Sequence, residues 1–269
     1  MPELPEVETI RRQLCAAGVE GRIIEKVHIE WPRTVEPLMP SAFCKQVQGG
    51  KLEQIDRHGK WLIFKLSGNE NLLVHLRMTG GFYLSHGTLK KGPHDRAILQ
   101  LSGGMDLHFR DPRKFGRWRL AVSHEGLGPD ALTVTKAEFL SGLENQNKVL
   151  KALLLDQSFV AGIGNIYADE ALFEARLDPR RKSGTLNDAE KLALYKAVTK
   201  VIKAGVRNKG TSLGAGQGNY VDLNGEAGGH REKVKVYGRA GQPCVACGQP
   251  LQKTQIAQRT TVFCAHCQK

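Results

Sequence analysis

The chain has 269 residues, 41% of them hydrophobic and 25% charged, which fits a soluble globular protein with one large domain or two modest ones. A net charge of +12 points to a polyanionic partner. No apolar run approaches the roughly 18–20 residues that span a bilayer. The first twenty residues carry Glu3, Glu6, Glu8, Arg11 and Arg12 and so hold no signal-peptide core, which predicts a cytoplasmic protein without membrane contact.

The chain opens Met1-Pro2-Glu3-Leu4-Pro5-Glu6-Val7-Glu8-Thr9. Removal of Met1, which the small Pro2 permits, leaves a secondary amine that can attack an electrophilic sugar carbon and form an iminium. A free α-amino group titrates near about 7.7–8.0, so part of it is neutral at cellular pH. Glu3 is the adjacent general acid/base candidate. The same residues also read as a plain helix start, with Pro5 in the first turn and carboxylates at the positive end. Val7, Ile10 and Leu14 then predict a helix ending near Gly18.

Seven short β-rich runs follow, over 22–29, 51–56, 61–66, 71–76, 97–101, 105–109 and 117–122, which suggests a sandwich or barrel. Three basic loops lie between them: 56–60 with Lys60, 75–81 with His75 and Met78, and 109–116 with Arg113 and Phe115. Each can be an ordinary surface turn. Large apolar residues beside Arg on one sandwich also suit a surface that enters a DNA groove.

Beyond Leu127-Gly128-Pro129-Asp130 the periodicity becomes helical, over 136–143, 147–155, 166–175 and 187–206. The glycine turn 160–166 between the second and third helices reads as helix–two turns–helix, with backbone N–H groups open to an anion and Asn165 starting the next helix. Between Arg176 and Lys209 ten Lys/Arg face three Asp/Glu, as a phosphate-contacting surface would require. The glycine-rich stretch 211–230 has little periodicity, and a loop of that length in a compact domain is functional or mobile. The tail carries Cys244-x2-Cys247 and, sixteen residues on, Cys264-x2-Cys267, the four-thiolate spacing of one structural zinc ion. Arg259 falls near the tip of its second hairpin. Cys15 and Cys44 read as incidental thiols.

Together the opening Pro-Glu-Leu-Pro-Glu-Val-Glu-Thr, the Arg57/Gly59-Lys60 turn, Asp111-Pro112-Arg113-Lys114-Phe115-Gly116, the stretch Gly162 to Glu170, Val236-Tyr237-Gly238-Arg239 and the cysteine tail closely resemble the bacterial formamidopyrimidine-DNA glycosylases (8-oxoguanine DNA glycosylase/AP lyases). The resemblance runs from residue 2 to the last residue. It implies an α+β multi-domain fold: a β-sandwich with its N-terminal helix over 1–127, a helix–two-turns–helix domain over 128–235 holding a lesion loop at 211–230, and a zinc-finger β-hairpin over 236–269. It also implies a monomer that excises oxidised purines from duplex DNA in base excision repair, with Pro2 as nucleophile at C1′, Glu3 as acid/base and β,δ-elimination of the strand. By position Lys60, His75, Lys151, Asn165 and Arg259 resemble the phosphate-gripping set, Lys60 standing with Pro2 and Glu3 among the catalytic residues, and Met78, Arg113 and Phe115 the residues that fill the vacated stack. Glu6 and Glu170 resemble carboxylates near the terminal amine.

One region departs from the family pattern. Gly214–Asn219 looks like an insertion of about four residues, and Ala227-Gly228-Gly229-His230 stands where Pro-Gly-aromatic is common. That predicts a looser or shifted preference between 8-oxoguanine and formamidopyrimidines. Two rivals remain open: the sister enzyme endonuclease VIII, acting on oxidised pyrimidines, and a non-catalytic DNA-binding protein.

Overall fold

A computed structural model of the chain describes residues 2–68, 70–123, 126–144, 146–214 and 219–269. The described residues fall into two compact units, one of Met1–Glu125 with Asn208–Gly229, the other of Gly126–Arg207 with His230–Lys269.

The first unit starts with α1 (Leu4–Ala16). Pro5 pre-sets its first turn, and Glu6 reaches back to accept the Glu3 N–H at 2.7 Å. Its stripe of Val7, Ile10 and Leu14 is fully buried, each side chain contributing about 1.5–3 kcal/mol of apolar burial. Gly18, just past the helix end, takes the left-handed conformation (φ +70°).

Two four-stranded antiparallel sheets make the sandwich. One has the order β1 (Ile24–Ile29), β6 (Asp95–Leu101), β7 (Met105–Arg110), β5 (Gly81–His86). The other has the order β2 (Leu52–His58), β3 (Trp61–Leu66), β4 (Asn71–His75), β8 (Arg117–Ala121). β5 is absent from the sequence expectation because its opening Gly80-Gly81 reads as a turn. The eight-residue helix α2 (Pro40–Val47) is also absent from it. Leu62, Phe64, Leu72, Val74, Phe82, Leu107, Phe109 and Trp118 share one core with the stripe of α1.

The second unit holds α3 (Lys136–Glu144), α4 (Leu150–Leu155), α5 (Asn165–Ala175) and α6 (Asp188–Arg207), followed by the hairpin β9 (Gln252–Ile256) and β10 (Arg259–Phe263). Phe173 of α5 packs with Val236, Leu251 and Val262 around Cys244 and Cys264. Among the described residues no helix is long and apolar enough to cross a membrane.

The sequence reading places 211–230 with the helical domain, whereas the structure packs 208–229 into the sandwich unit. Side-chain bonds from α1 explain why. Gln13 donates to Asp222 at 2.6 Å and accepts the Leu223 N–H at 3.0 Å, and the Thr211 N–H donates to Glu6 at 2.7 Å.

Candidate active site

Glu6 organises the N-terminal end. Its two carboxylate oxygens accept the backbone N–H of Glu3 and of Thr211, both at 2.7 Å, and the group is 1% exposed. Gly210 makes room for it, since a Cβ there would lie 2.7 Å from the Glu6 side chain and the backbone sits at φ +82°. Glu3 is itself buried, at 1% exposure. Pro2 lines a cavity of about 740 Å³ together with Met78, Tyr83, Arg110, Tyr220 and Asp222. The structure thus brings Pro2, Glu3 and Glu6 together beside this cavity.

Met78, which is 37% exposed, also lines that cavity. Its neighbour Thr79 hydrogen-bonds through its hydroxyl to the Asp111 carboxylate. Asp111 also accepts the N–H groups of Arg113 at 3.2 Å and Gly116 at 2.7 Å, so one buried carboxylate both folds the 111–116 turn and ties it to the Met78 loop. A Cβ at Gly116 would stand 2.3 Å from the Phe109 ring, and one at Gly80 would stand 2.4 Å from the Leu76 carbonyl oxygen. Only glycine lets both loops lie this close to the core. At the tip of the turn the Arg113 guanidinium sits 4.9 Å from the centre of the exposed Phe115 ring.

Lys60 occupies the two-residue turn between β2 and β3, where Gly59 takes the positive φ (+57°) that such a hairpin needs at its first central position. Arg57 secures the turn by donating to the Gly59 carbonyl at 3.0 Å. Arg57 is also paired at 3.0 Å with Glu8, which accepts from Arg11 and Arg12 as well. Burial pushes the Glu8 carboxyl up, but the three guanidiniums outweigh it and hold it down at about 2.

His75, at the end of β4, stands edge-on to Trp61 with ring centroids 4.9 Å apart. Burial, reinforced by Arg77, Lys60 and Arg119, depresses its pKa to about 3, so the ring is neutral. Its Nδ1 accepts the Arg77 N–H at 3.0 Å, which assigns the ring proton to Nε2 and makes that atom a donor.

In the second unit Asn165 is the first residue of α5, and its side-chain amide donates to the Thr260 carbonyl at 3.0 Å, next to Arg259. Arg259 is exposed and follows the two-residue turn Ala257-Gln258, both left-handed at φ +48° and +57°. Lys151, of the expected phosphate-gripping set, lies inside the second unit. It is fully buried, pairs with Asp169 and donates to the Asn165 carbonyl at 2.9 Å, so its charge is spent under the start of α5. Glu170, also buried, accepts the backbone N–H groups of Lys235, Val236 and Tyr237 at 2.8–2.9 Å. Burial raises its pKa against the pull of those donors.

The sulfur atoms of Cys244, Cys247, Cys264 and Cys267 all lie within 4.8 Å of one another, with separations of 4.0 Å for Cys244–Cys267 and 3.5 Å for Cys247–Cys264. A tetrahedral ion with Zn–S bonds of about 2.3 Å requires S–S edges of about 3.8 Å. The cluster therefore fits one zinc ion, and with four protein ligands that ion is structural.

Sequence reasoning missed Gln13, Thr79, Asp111, Ser212 and Asp222. Asp111-Pro112 carried a usable signal, because Asp ahead of a turn commonly accepts N–H groups further on. The inserted residues 215–218 lie outside the described residues. Their flank is well tied: the Ser212 hydroxyl donates to the Tyr220 carbonyl at 2.6 Å and accepts the Gly228 N–H at 2.9 Å. The departure at 227–230 has a physical reason. A Cβ at Gly228 would meet the Gly210 carbonyl oxygen at 2.3 Å, and His230, 4% exposed, stacks on Tyr167 with centroids 5.7 Å apart.

Family models match the chain in three stretches: the formamidopyrimidine-DNA glycosylase N-terminal domain over 1–118, its H2TH domain over 126–216, and a zinc finger found in FPG and IleRS over 241–269. The chain is 41% identical to a formamidopyrimidine-DNA glycosylase of Protochlamydia amoebophila over 275 residues, covering 100% of both chains. The chain belongs to the formamidopyrimidine-DNA glycosylase family. A relative of the same name from Desulfitobacterium hafniense is 42% identical over 278 residues, again covering 100% of each. Among solved structures, the MutM (Fpg) protein of Thermus thermophilus superposes with a TM-score of 0.87 at 40% identity, covering 99% of this chain and 98% of that one. The Lactococcus lactis Fpg in complex with abasic-site DNA gives 0.89 at 31% identity, covering 99% of each chain. The two solved structures thus share the fold described above over nearly the whole chain.

Proposed function

We propose that this protein is a bifunctional DNA glycosylase/AP lyase that excises oxidised purines, 8-oxoguanine and formamidopyrimidines, from duplex DNA in base excision repair. The observation that carries the reading is Pro2 in the wall of a cavity of about 740 Å³, with the adjoining Glu3 N–H fixed by Glu6. Once Met1 is removed, the Pro2 nitrogen attacks C1′ of the damaged nucleotide. The bond from C1′ to the base breaks, and the base leaves carrying a proton. Glu3, next in sequence, exchanges the protons that open the sugar ring. The resulting iminium acidifies the sugar protons, so loss of first one and then another cleaves the C3′–O and C5′–O bonds; water then hydrolyses the imine and frees the amine.

The remaining residues take supporting roles. Met78, Arg113 and Phe115 fill the space the extruded nucleotide leaves, recovering part of an unstacking cost of a few kcal/mol. Lys60, His75, Asn165 and Arg259 hold phosphates, His75 as a neutral Nε2–H donor. Lys151 acts through the start of α5, and Glu170 through the 235–237 backbone. The zinc ion stiffens the hairpin that carries Arg259. Complexes of the L. lactis relative with abasic-site DNA and with Fapy-dG DNA support the substrate class. A monomer working in the cytoplasm on chromosomal DNA fits this chemistry.

The test is borohydride trapping on a duplex with 8-oxoguanine opposite cytosine, followed by mass mapping of the adduct. The expected result is an adduct on Pro2 that Glu3→Gln abolishes. Absence of an adduct, with Met1 removal verified and the lesion tightly bound, would overturn the reading in favour of a non-catalytic DNA-binding protein. The altered flanks of the 211–230 loop further imply relative rates on 8-oxoguanine and formamidopyrimidine that differ from those of a standard family member; equal relative rates would refute that.

A further inference from the structure

We infer that the outer face of the β2–β3–β4–β8 sheet is an additional track for the phosphodiester backbone of duplex DNA, carried by Arg117, Arg119 and Arg77 beside Trp61. The inference rests on DNA being the partner and adds a surface to the contacts named above.

Strand register gathers these residues. Val74 opposite Trp118 and Leu62 opposite Val74 are buried in the core. The alternate positions therefore share the other face: Trp61 opposite His75, His75 opposite Arg117, and Leu73 opposite Arg119. Arg77 follows β4 in a left-handed conformation, φ +56°, and is exposed, as is Arg119. The Arg119 guanidinium lies 6.0 Å from the centre of the Trp61 ring.

Several cations of the unit are neutralised: Arg11, Arg12 and Arg57 share Glu8, Arg33 faces Glu36, and Lys65 on this sheet is paired with Asp56. Arg77, Arg117 and Arg119 form no ion pair with a carboxylate among the described residues; Arg117 donates only to the Lys114 and Gly116 carbonyls. Burial, and then the proximity of Arg117 and Arg119, hold the Arg77 pKa below its ordinary value. A polyanion laid across the sheet face relieves the repulsion that Arg117 and Arg119 exert on the neighbouring Arg77. Arg117 and Arg119 are two residues apart on one strand, about 6.8 Å, so each can meet a different phosphate. An extended backbone suits an open strand face better than a small anion, which needs an enclosing pocket.

The experiment measures binding of the full-length zinc-loaded protein to an undamaged 30-base-pair duplex as a function of salt. Arg119→Ala should flatten the log–log slope by about 0.9, and Arg117→Ala/Arg119→Ala by about 1.8. Arg119→Lys should restore most of the slope, because a phosphate needs only the charge. Among the described residues Arg119 makes no side-chain bond to the 111–116 turn, so its single variant keeps the test independent of that turn. Slopes equal to wild type in both variants would overturn the inference. So would a loss that Arg119→Lys fails to restore, since that marks a packing role. If wild-type protein fails to nick damaged DNA while the slopes fall as stated, the glycosylase reading is refuted and this surface stands.

Discussion

Glu8 accepts from three guanidiniums, and these partners determine what acid does to the fold. Its folded pKa of about 2 lies below the ordinary 4.5, so its contribution is fully present above pH 4.5 and is lost as pH falls towards 2. The shift corresponds to an upper figure of ~3 kcal/mol. Thermal unfolding of Glu8→Gln should therefore show a lower midpoint at pH 7 and a smaller drop between pH 5 and pH 3 than wild type; parallel pH curves would refute the assignment. His75 differs in kind. With its pKa at about 3 it stays neutral across the range in which an ordinary histidine charges, near 6.5. Imidazole ¹⁵N shifts of the free protein at pH 5 should report a neutral ring protonated at Nε2. A charged ring at that pH would remove its role as a neutral donor.

Two loops become one working element because Asp111 belongs to both. Thr79→Val keeps the shape and removes the hydroxyl, which should cost ~1–3 kcal/mol of stability and slow single-turnover nicking by about 10- to 100-fold. Binding to undamaged DNA should stay near wild type, and an unchanged nicking rate would show that the loops are positioned by other contacts. At this scale the sequence was partly legible. α1, seven of the eight sandwich strands, the four long helical stretches and the zinc spacing all follow from local periodicity or ligand spacing. β5 did not, because Gly80 precedes it and Gly81 opens it, and the Thr79–Asp111 link did not, because it joins residues 32 positions apart. For Lys151 the family resemblance implies a phosphate contact, whereas its ion pair with Asp169 is visible only in the tertiary fold.

At the scale of the molecule, the cysteine cluster ties down a hairpin that α5 also holds, through Phe173 packed on Val262 and the Val262 N–H donating to Asp169 at 3.1 Å. Its turn pairs two non-glycine left-handed residues, a conformation that costs roughly 1–2 kcal/mol per residue. A strong chelator should release one equivalent of zinc to a metallochromic dye, raise hydrogen exchange over 252–263 and weaken DNA binding, while the sandwich unit keeps its protection. Loss of protection across the sandwich would show that the metal supports more than its own hairpin. The first unit was the hardest feature to read, because its last segment follows more than eighty residues of the other unit in sequence. That order has a consequence for synthesis. The clasp on the N-terminal end joins Glu6 to Thr211, 205 residues apart, and the bonds from Gln13 reach Leu223, 210 residues away. At translation speeds of about 5–20 residues per second, the growing chain spends some ten seconds or more with its amine exposed and its cavity wall unfinished. A ribosome-bound chain stopped before residue 211 should therefore be unable to process damaged DNA, so the nucleophile, though made first, becomes competent only near the end of synthesis.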